Sequence, residues 1–328
     1  MSVAALALLA LTLDLGEALD VLRAASPRPL MLVLGVVALQ VLVRAARWRL
    51  LLPRRPDGLR PALGATVSAL LVGYLASGVL PARLGEPIRA LVVARSQRLS
   101  VGGALGAVIL ERVIDLAVLA VIGLAAAAAI GAPAWIVNLA LFVALLAVSL
   151  LVFLLTVGLD PILAAARWLA ERSPWRLRPV AGSAVRRVGT FADGVSGHRR
   201  RPDVAFAAIL SAVGWVLDAV IVGLVGAALG LSLGPGEAMV ISAVGALATA
   251  IPSAPGYLGT FEVAVTAAAV AVGASGAEGL ALAITTHAIV LGPVLAAGVV
   301  ALARTGATLG SLAGEAVAES ALDRPAPA

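Results

Sequence analysis

Long apolar runs separated by short charged or Gly/Pro-rich stretches dominate the sequence. One run begins at residue 29 and leads into an arginine-rich boundary, and four others occur at 101–129, 135–159, 204–229 and 280–303. A helix of about 20 apolar residues crosses the hydrocarbon core of a bilayer. With a shorter first run at 3–13, the pattern predicts an all-α polytopic membrane protein with about six full transmembrane helices.

Two further apolar stretches, 61–94 and 238–272, are interrupted by glycine, proline and charge. The first is broken within 73–91, and arginine clusters flank it on both sides, which places both of its ends in the cytoplasm by the positive-inside bias. Two full spans within this stretch would return the chain to the cytoplasmic side. A re-entrant hairpin suits the Gly/Pro content better, since broken helices at membrane depth line cavities or protein interior. The second stretch is broken at 252–262.

The two broken stretches resemble each other at an offset of 172 residues. Residues 72–76 (VGYLA) align with 244–248 (VGALA), and each segment continues to a proline, a Leu-Gly pair and a glutamate. The number of intervening spans gives the two hairpins opposite orientations. We therefore predict an inverted repeat within one transmembrane domain, residues 1–303, with repeats at about 29–159 and 204–303. Chance self-alignment of an Ala/Gly/Leu-rich chain is the alternative.

Composition and charge agree with a membrane location. The chain is 61% hydrophobic and 13% charged, whereas a soluble domain is about 25% charged. It has no cysteine and two histidines, so we expect no metal site, no cofactor and no catalytic residue set. Nine arginines in the loop 160–203 predict that this loop is cytoplasmic, in a cell (inner) membrane, beside anionic lipid rather than nucleic acid.

Segments outside the apolar runs have their own predictions. Residues 163–172 and 185–195 are predicted to be amphipathic helices on the inner leaflet. The tail 304–328 is more polar, mixed in charge and expected to be disordered.

Ionisable residues beside or within apolar runs are the candidate substrate-binding residues, since charges at membrane depth are costly and usually functional. In the first break, Arg83 or Arg89 suits a phosphate group, and Glu86 lies three residues before Arg89, which allows those two to pair. The span 101–129 adds three more candidates: Glu111, Arg112 and Asp115. The alternatives are interfacial charges that reach water and a purely structural ion network.

The second break supplies Pro255, Gly256, Gly259 and Glu262, where glycine allows close backbone approach and a half-helix beginning near Gly259 would direct free N–H groups at an anion. An extracellular turn is the alternative. Glu262 could pair with an arginine of the first repeat.

The secondary candidates are Arg47, Asp218 and His287. Arg47, next to Trp48, is expected mainly as an interfacial anchor with Trp48 at headgroup level. Asp218 is expected to pair helices, and His287 to hydrogen bond between helices.

Four motifs in order carry a family resemblance: RAARWRLLL at 44–52, LPARLGEPIR at 80–89, ERVID at 111–115 and IPSAPGYLGTFE at 251–262. The chain resembles the flippase-like integral membrane family related to the transmembrane (lipid translocase) domain of lysylphosphatidylglycerol synthases, over about residues 30–303. It departs from the family pattern in its short first span and at His287, where the family tends to have arginine. The resemblance implies a polytopic lipid or glycolipid translocase. The synthases carry an additional soluble aminoacyl-transferase domain. We expect no such domain in this chain, and therefore no lysyl transfer.

These observations predict a non-enzymatic flippase for an anionic or glycosylated lipid or a polyprenyl-phosphate-linked lipid. Its headgroup would pass along a polar groove between the broken helices, with membrane lipids as partners. The alternatives are a proton- or ion-coupled transporter of a small solute and an accessory membrane subunit of a glycolipid-synthesising enzyme. The chain could also form a homo-oligomer or bind a glycosyltransferase partner.

Overall fold

The computed structural model describes residues 15–80, 84–172, 202–249 and 253–321, with isolated positions at 182, 185 and 189. Within these ranges the chain forms twelve α-helices and a 3₁₀ turn, and no strand. The all-helical class predicted from the apolar runs is therefore confirmed.

The first six helices cover the region of the first predicted repeat. They are α1 (Leu15–Arg23), α2 (Pro27–Leu51), α3 (Leu63–Val79), α4 (Gly85–Gln97), α5 (Val101–Ala129) and α6 (Ala134–Thr156). The other six follow. They are α7 (Asp160–Arg172), α8 (Pro202–Ala228), α9 (Pro235–Ala248), α10 (Thr260–Ala271), α11 (Gly276–Ala303) and α12 (Leu309–Ala321), with the 3₁₀ turn Pro255–Tyr257 between α9 and α10.

Four helices have both the length and the apolar composition to cross a membrane: α2, α6, α8 and α11. Helix α5 is the longest, with 29 residues, and contains the three ionisable residues of the ERVID motif. Since a helix rises about 1.5 Å per residue, all five exceed the roughly 30 Å of hydrocarbon. Five of the predicted full spans thus correspond to helices, and the sixth candidate, 3–13, lies outside the described residues.

The two broken stretches each form a pair of short helices, α3 with α4 and α9 with α10. They contain between 12 and 17 residues, about 18–26 Å, which is too short for a full crossing. Glycines bring the members of each pair together. A Cβ added to Gly73 would lie 2.9 Å from the carbonyl oxygen of Gly85, and one added to Gly245 would lie 2.9 Å from Val265.

The helix contacts agree with an inverted repeat. Three helix contacts have an equivalent in the other repeat: α3–α4 with α9–α10, α4–α5 with α10–α11, and α3–α11 with α9–α5. The equivalent helices α2 and α8 pack directly on each other. They are antiparallel, because Ser26 before α2 donates to Ala228 at the end of α8 while Arg47 contacts Ser211.

The predictions for the arginine-rich loop and for the carboxyl-terminal tail have different outcomes. The predicted amphipathic helix 163–172 lies within α7, whereas most of 185–195 lies outside the described residues. The tail expected to be disordered contains helix α12 at 309–321. Its apolar residues Leu312 and Ala316 share one face and are buried in the same core as α4, which the overall polarity of the tail did not reveal.

Candidate functional site

A cluster of buried ionised side chains lies where α2, α4, α5 and α8 meet. Its centre is Arg47 on α2, whose guanidinium donates to Glu111 at 2.5 Å and to Asp115 at 2.5 Å, both on α5. Glu111 and Asp115 reach the same arginine because residues four apart share one face of a helix. The three side chains are between 3% and 7% exposed.

Helix α4 contributes the second arginine. Arg89 donates from Nη2 to Glu111 Oε2 at 2.8 Å, so Glu111 bridges two guanidinium groups. The Arg89 guanidinium also lies 4.5 Å from the ring centroid of Trp48, within cation–π range. Two arginines therefore face two carboxylates. We name these four residues (Arg47, Arg89, Glu111 and Asp115) the ionic cluster; its formal charge is zero.

Helix α8 adds further hydrogen bonds to the ionic cluster, although Nε of Arg47 is buried without a partner among the described residues. The Ser211 hydroxyl accepts from Arg47 at 2.9 Å and donates to Asp115 at 3.1 Å. The indole N–H of Trp215 donates to the backbone oxygen of Asp115 at 3.2 Å. Buried charges require such partners, because the desolvation cost is recovered only when the remaining donors and acceptors are satisfied.

Polar contacts continue along the α2–α8 interface in both directions from the ionic cluster. On one side Asp218 accepts from Arg44 at 2.7 Å and from Gln40 at 2.5 Å. On the other side Arg60 donates to Asp203 at 2.7 Å. Asp203 and Asp218 are fifteen positions apart on α8, so the contacts extend over about 22 Å of its axis.

A second ion pair lies at the break of the first hairpin and is more accessible. Arg112 on α5 donates to Glu86, in the first turn of α4, at 2.6 Å. The Arg112 side chain is 51% exposed and that of Glu86 is 30% exposed. Arg112 lies about 16 Å along α5 from Val101, which is about half the thickness of a hydrocarbon layer.

The second hairpin holds a different pair. Glu262 contacts His287 Nδ1 on α11 at 2.5 Å, and its other carboxylate oxygen accepts from the backbone N–H of Gly259 at 2.6 Å. This bond caps the start of α10. Gly259 has φ +87°, a conformation that a residue with a side chain rarely adopts. The ring of Phe261 lies 4.7 Å from that of His287.

The break of the second hairpin lies against the end of α3. Pro255 begins the 3₁₀ turn, and a Cβ added to Gly256 would lie 3.7 Å from the carbonyl oxygen of Gly78 and 3.5 Å from Leu291. Gly78 comes shortly before the first break, and Leu291 is one helical turn from His287. The two breaks therefore come close together in the fold.

The structure brings most predicted site residues into three groups: the ionic cluster, the Glu86–Arg112 pair and the Glu262–His287 pair. One predicted pairing is wrong: Glu86 and Arg89, three residues apart, bond Arg112 and Glu111 instead of each other. Among the described residues Glu262 bonds His287, because α10 packs on the following span α11. Its predicted pairing with an arginine of the first repeat stays a prediction, since Arg83 is not among those residues.

The prediction for Arg47 and Trp48 is also corrected. Arg47 was expected mainly as an interfacial anchor, and Trp48 at headgroup level, but they are 3% and 0% exposed. Helices α4, α5 and α8 cover this end of α2, which the local sequence does not show. Arg83 lies outside the described residues.

Some residues of the site were not predicted. Gln40 and Arg44 bond Asp218, and Ser211 and Trp215 bond the ionic cluster. Their spacing was a usable signal, because 40, 44 and 47 share one face of α2, as 211, 215 and 218 share one face of α8. Asp218 pairs helices as expected.

Long apolar helices, two short broken helix pairs and a buried ionic cluster define a multi-pass membrane protein with an intramembrane polar site. A family model described as the lysylphosphatidylglycerol synthase TM region matches residues 1–298. The chain belongs to this family. No curated protein matches the chain, and no solved structure matches it. Membership relates the protein to lipid modification or translocation.

Proposed function

We propose that this protein is a flippase, moving an anionic or glycosylated lipid, or a lipid linked to polyprenyl phosphate, between the leaflets of a cell membrane. The headgroup would enter beside the break of the first hairpin and pass the ionic cluster and the polar contacts that flank it. The observation that carries the proposal is the ionic cluster, two arginines and two carboxylates buried where four helices meet, with the pairs Arg44–Asp218 and Arg60–Asp203 on either side of it.

Energetics favour a functional origin for this arrangement. Burying several ionised groups is costly even when they are paired, and well-packed apolar residues are often at least as stabilising. Intramembrane charges that face a bundle interior therefore usually mark a substrate or ion pathway. The relation of the family to lipid modification or translocation supports the choice of a lipid as the substrate in this proposal.

The half-exposed Glu86–Arg112 pair provides an entry step. A lipid phosphate offers the same kind of oxygen acceptor as the Glu86 carboxylate, so it can replace Glu86 at the Arg112 guanidinium. Beyond it, each arginine of the ionic cluster already donates to a carboxylate, and a passing phosphate would exchange with those carboxylates in turn. Because Glu111 contacts both Arg47 and Arg89, it can release one arginine to the phosphate while it stays paired with the other.

Reconstitution tests this proposal. Purified protein in liposomes should accelerate the exposure of fluorescent anionic phospholipid or glycolipid to an impermeant quencher. The Arg112→Gln variant should slow this exposure, whereas Arg95→Gln, which alters an exposed arginine paired with Glu315 outside the ionic cluster, should not. Unchanged flip-flop across a broad lipid panel would reject a flippase. Proton uptake driven by a water-soluble solute would instead favour the solute transporter.

A further inference from the structure

An apolar crevice lies between α5, α6 and α9. Both α6 and α9 pack on α5, and the crevice is the space left between them. Its walls are entirely apolar, and small residues form much of its floor: Ala120, Gly123, Ala140 and Ala243. Leu139, at 42% exposure, is the lining residue that faces the lipid side.

The crevice lies on the same face of α5 as the half-exposed arginine. Seven and eleven residues separate Arg112 from Leu119 and Gly123, which both line the crevice. Leu116 lies on the same face between them and is partly exposed. A phosphate at Arg112 would therefore lie about 10 Å along the helix from the near end of the crevice, with Leu116 in between.

Helix α9 forms another wall of the crevice, and its direction relative to α5 can be read from two glycine contacts. Gly123 approaches Ala243, and Gly236 approaches Ile130, so α9 is antiparallel to α5. Leu247, the lining residue nearest the end of α9, consequently lies towards the Arg112 end, next to the break of the second hairpin. The same end of the crevice therefore faces both the charged pair and the second break.

We propose that one hydrocarbon chain of a phosphate-bearing lipid occupies this crevice while its phosphate contacts Arg112. This inference rests on the proposed function and deepens it, since it assigns the chain a site on the protein instead of leaving both chains in bulk lipid. Arg112 and the crevice together then select lipids that carry a phosphate with net negative charge.

Photo-crosslinking in nanodiscs tests the assignment on the unmodified chain. Phosphatidylglycerol and phosphatidylcholine, each with the same diazirine-bearing acyl chain, are compared, and adducts are mapped by mass spectrometry. At crevice residues such as Ala140 the phosphatidylglycerol-to-phosphatidylcholine ratio should be about fivefold, the preference expected from one favourable arginine contact. At Leu145, which is 62% exposed on the outer face of α6, the ratio should be near one.

Two variants, each with a matched control, test whether Arg112 and the crevice cause the enrichment of phosphatidylglycerol. Arg112→Gln should reduce the crevice ratio to near one, whereas Arg95→Gln should leave it unchanged. Ala140→Trp should remove crevice adducts by filling the space, and Leu145→Trp should not. A crevice ratio near one in the unmodified chain, or adducts that persist in Ala140→Trp, would overturn the inference. Since crosslinking measures occupancy and not movement, an enriched crevice without lipid flip-flop would reject only the translocase.

Discussion

Glu111→Gln tests the central role assigned to the bridging carboxylate. The substitution keeps the size of the side chain but removes its charge, so Arg47 and Arg89 are left with one buried carboxylate, Asp115, between them. Removing one partner of a buried ion pair costs about 3–5 kcal/mol, because a charge remains uncompensated. Glu111 contacts two arginines and is 3% exposed, so we expect a loss of unfolding free energy in the upper part of that range.

The matched control is Glu315→Gln. Glu315 pairs with Arg95, and both side chains are largely exposed, at 42% and 53%. An exposed pair contributes about 0–1 kcal/mol, so this variant should unfold almost as the parent does. Equilibrium unfolding by SDS in mixed micelles, followed by tryptophan fluorescence, gives both values. Trp48 and Trp215 lie beside the ionic cluster and report its loss.

A second substitution separates charge from packing. Adding Arg89→Gln to Glu111→Gln returns the cluster to formal neutrality, with Arg47 facing Asp115. The double variant should therefore lose less stability than the sum of the two single losses, with a coupling of about 1–3 kcal/mol. Additive losses, or a Glu111→Gln cost no larger than that of Glu315→Gln, would refute the description of the cluster as a charge-balanced unit.

Four further outcomes are expected. Gly85→Ala should lower the free energy of unfolding by about 1–3 kcal/mol, because a Cβ at this position overlaps atoms of α3. Gly64→Ala is the control: it has open space around it and should be neutral or stabilising in the same SDS titration. Asp218→Asn should cost less than Glu111→Gln, since its side chain is 22% exposed and water screens the remaining charge. Glu262→Gln retains a side-chain oxygen to cap α10 but loses its charge. The rate of lipid flip-flop in liposomes should therefore fall clearly, while the free energy of unfolding should stay close to that of the parent. Arg83→Ala should reduce flip-flop while expression stays near normal, and full activity would remove Arg83 from the site.

The sequence predicted the helices and the breaks but not the partners within the site. Apolar run length and the Gly/Pro interruptions are local properties, and they located the five long spans and both hairpins. The i,i+4 spacing likewise put Glu111 and Asp115 on one face. Which arginine they meet depends on how α2 packs against α5, and no single-helix pattern contains that information.

Arg47 shows the difficulty most clearly. An arginine beside a tryptophan at the end of an apolar run is typical of a membrane boundary, and the neighbouring Arg49, which bonds the carbonyl oxygen of Pro61, fits that description. Two residues earlier along the same helix, Arg47 faces α5 and α8 instead of water. The rotation of α2 about its axis decides between these environments, and tertiary packing sets that rotation.

The position of the ionic cluster in the chain has a consequence for biogenesis. All four of its charged members fall between residues 47 and 115, so they are synthesised before any part of α8. When α5 enters the bilayer, the arginines that neutralise its carboxylates are already present on α2 and α4. The amino-terminal half can therefore insert without an unbalanced charge at membrane depth, and the later arrival of α8 adds hydrogen bonds to a charge balance already complete.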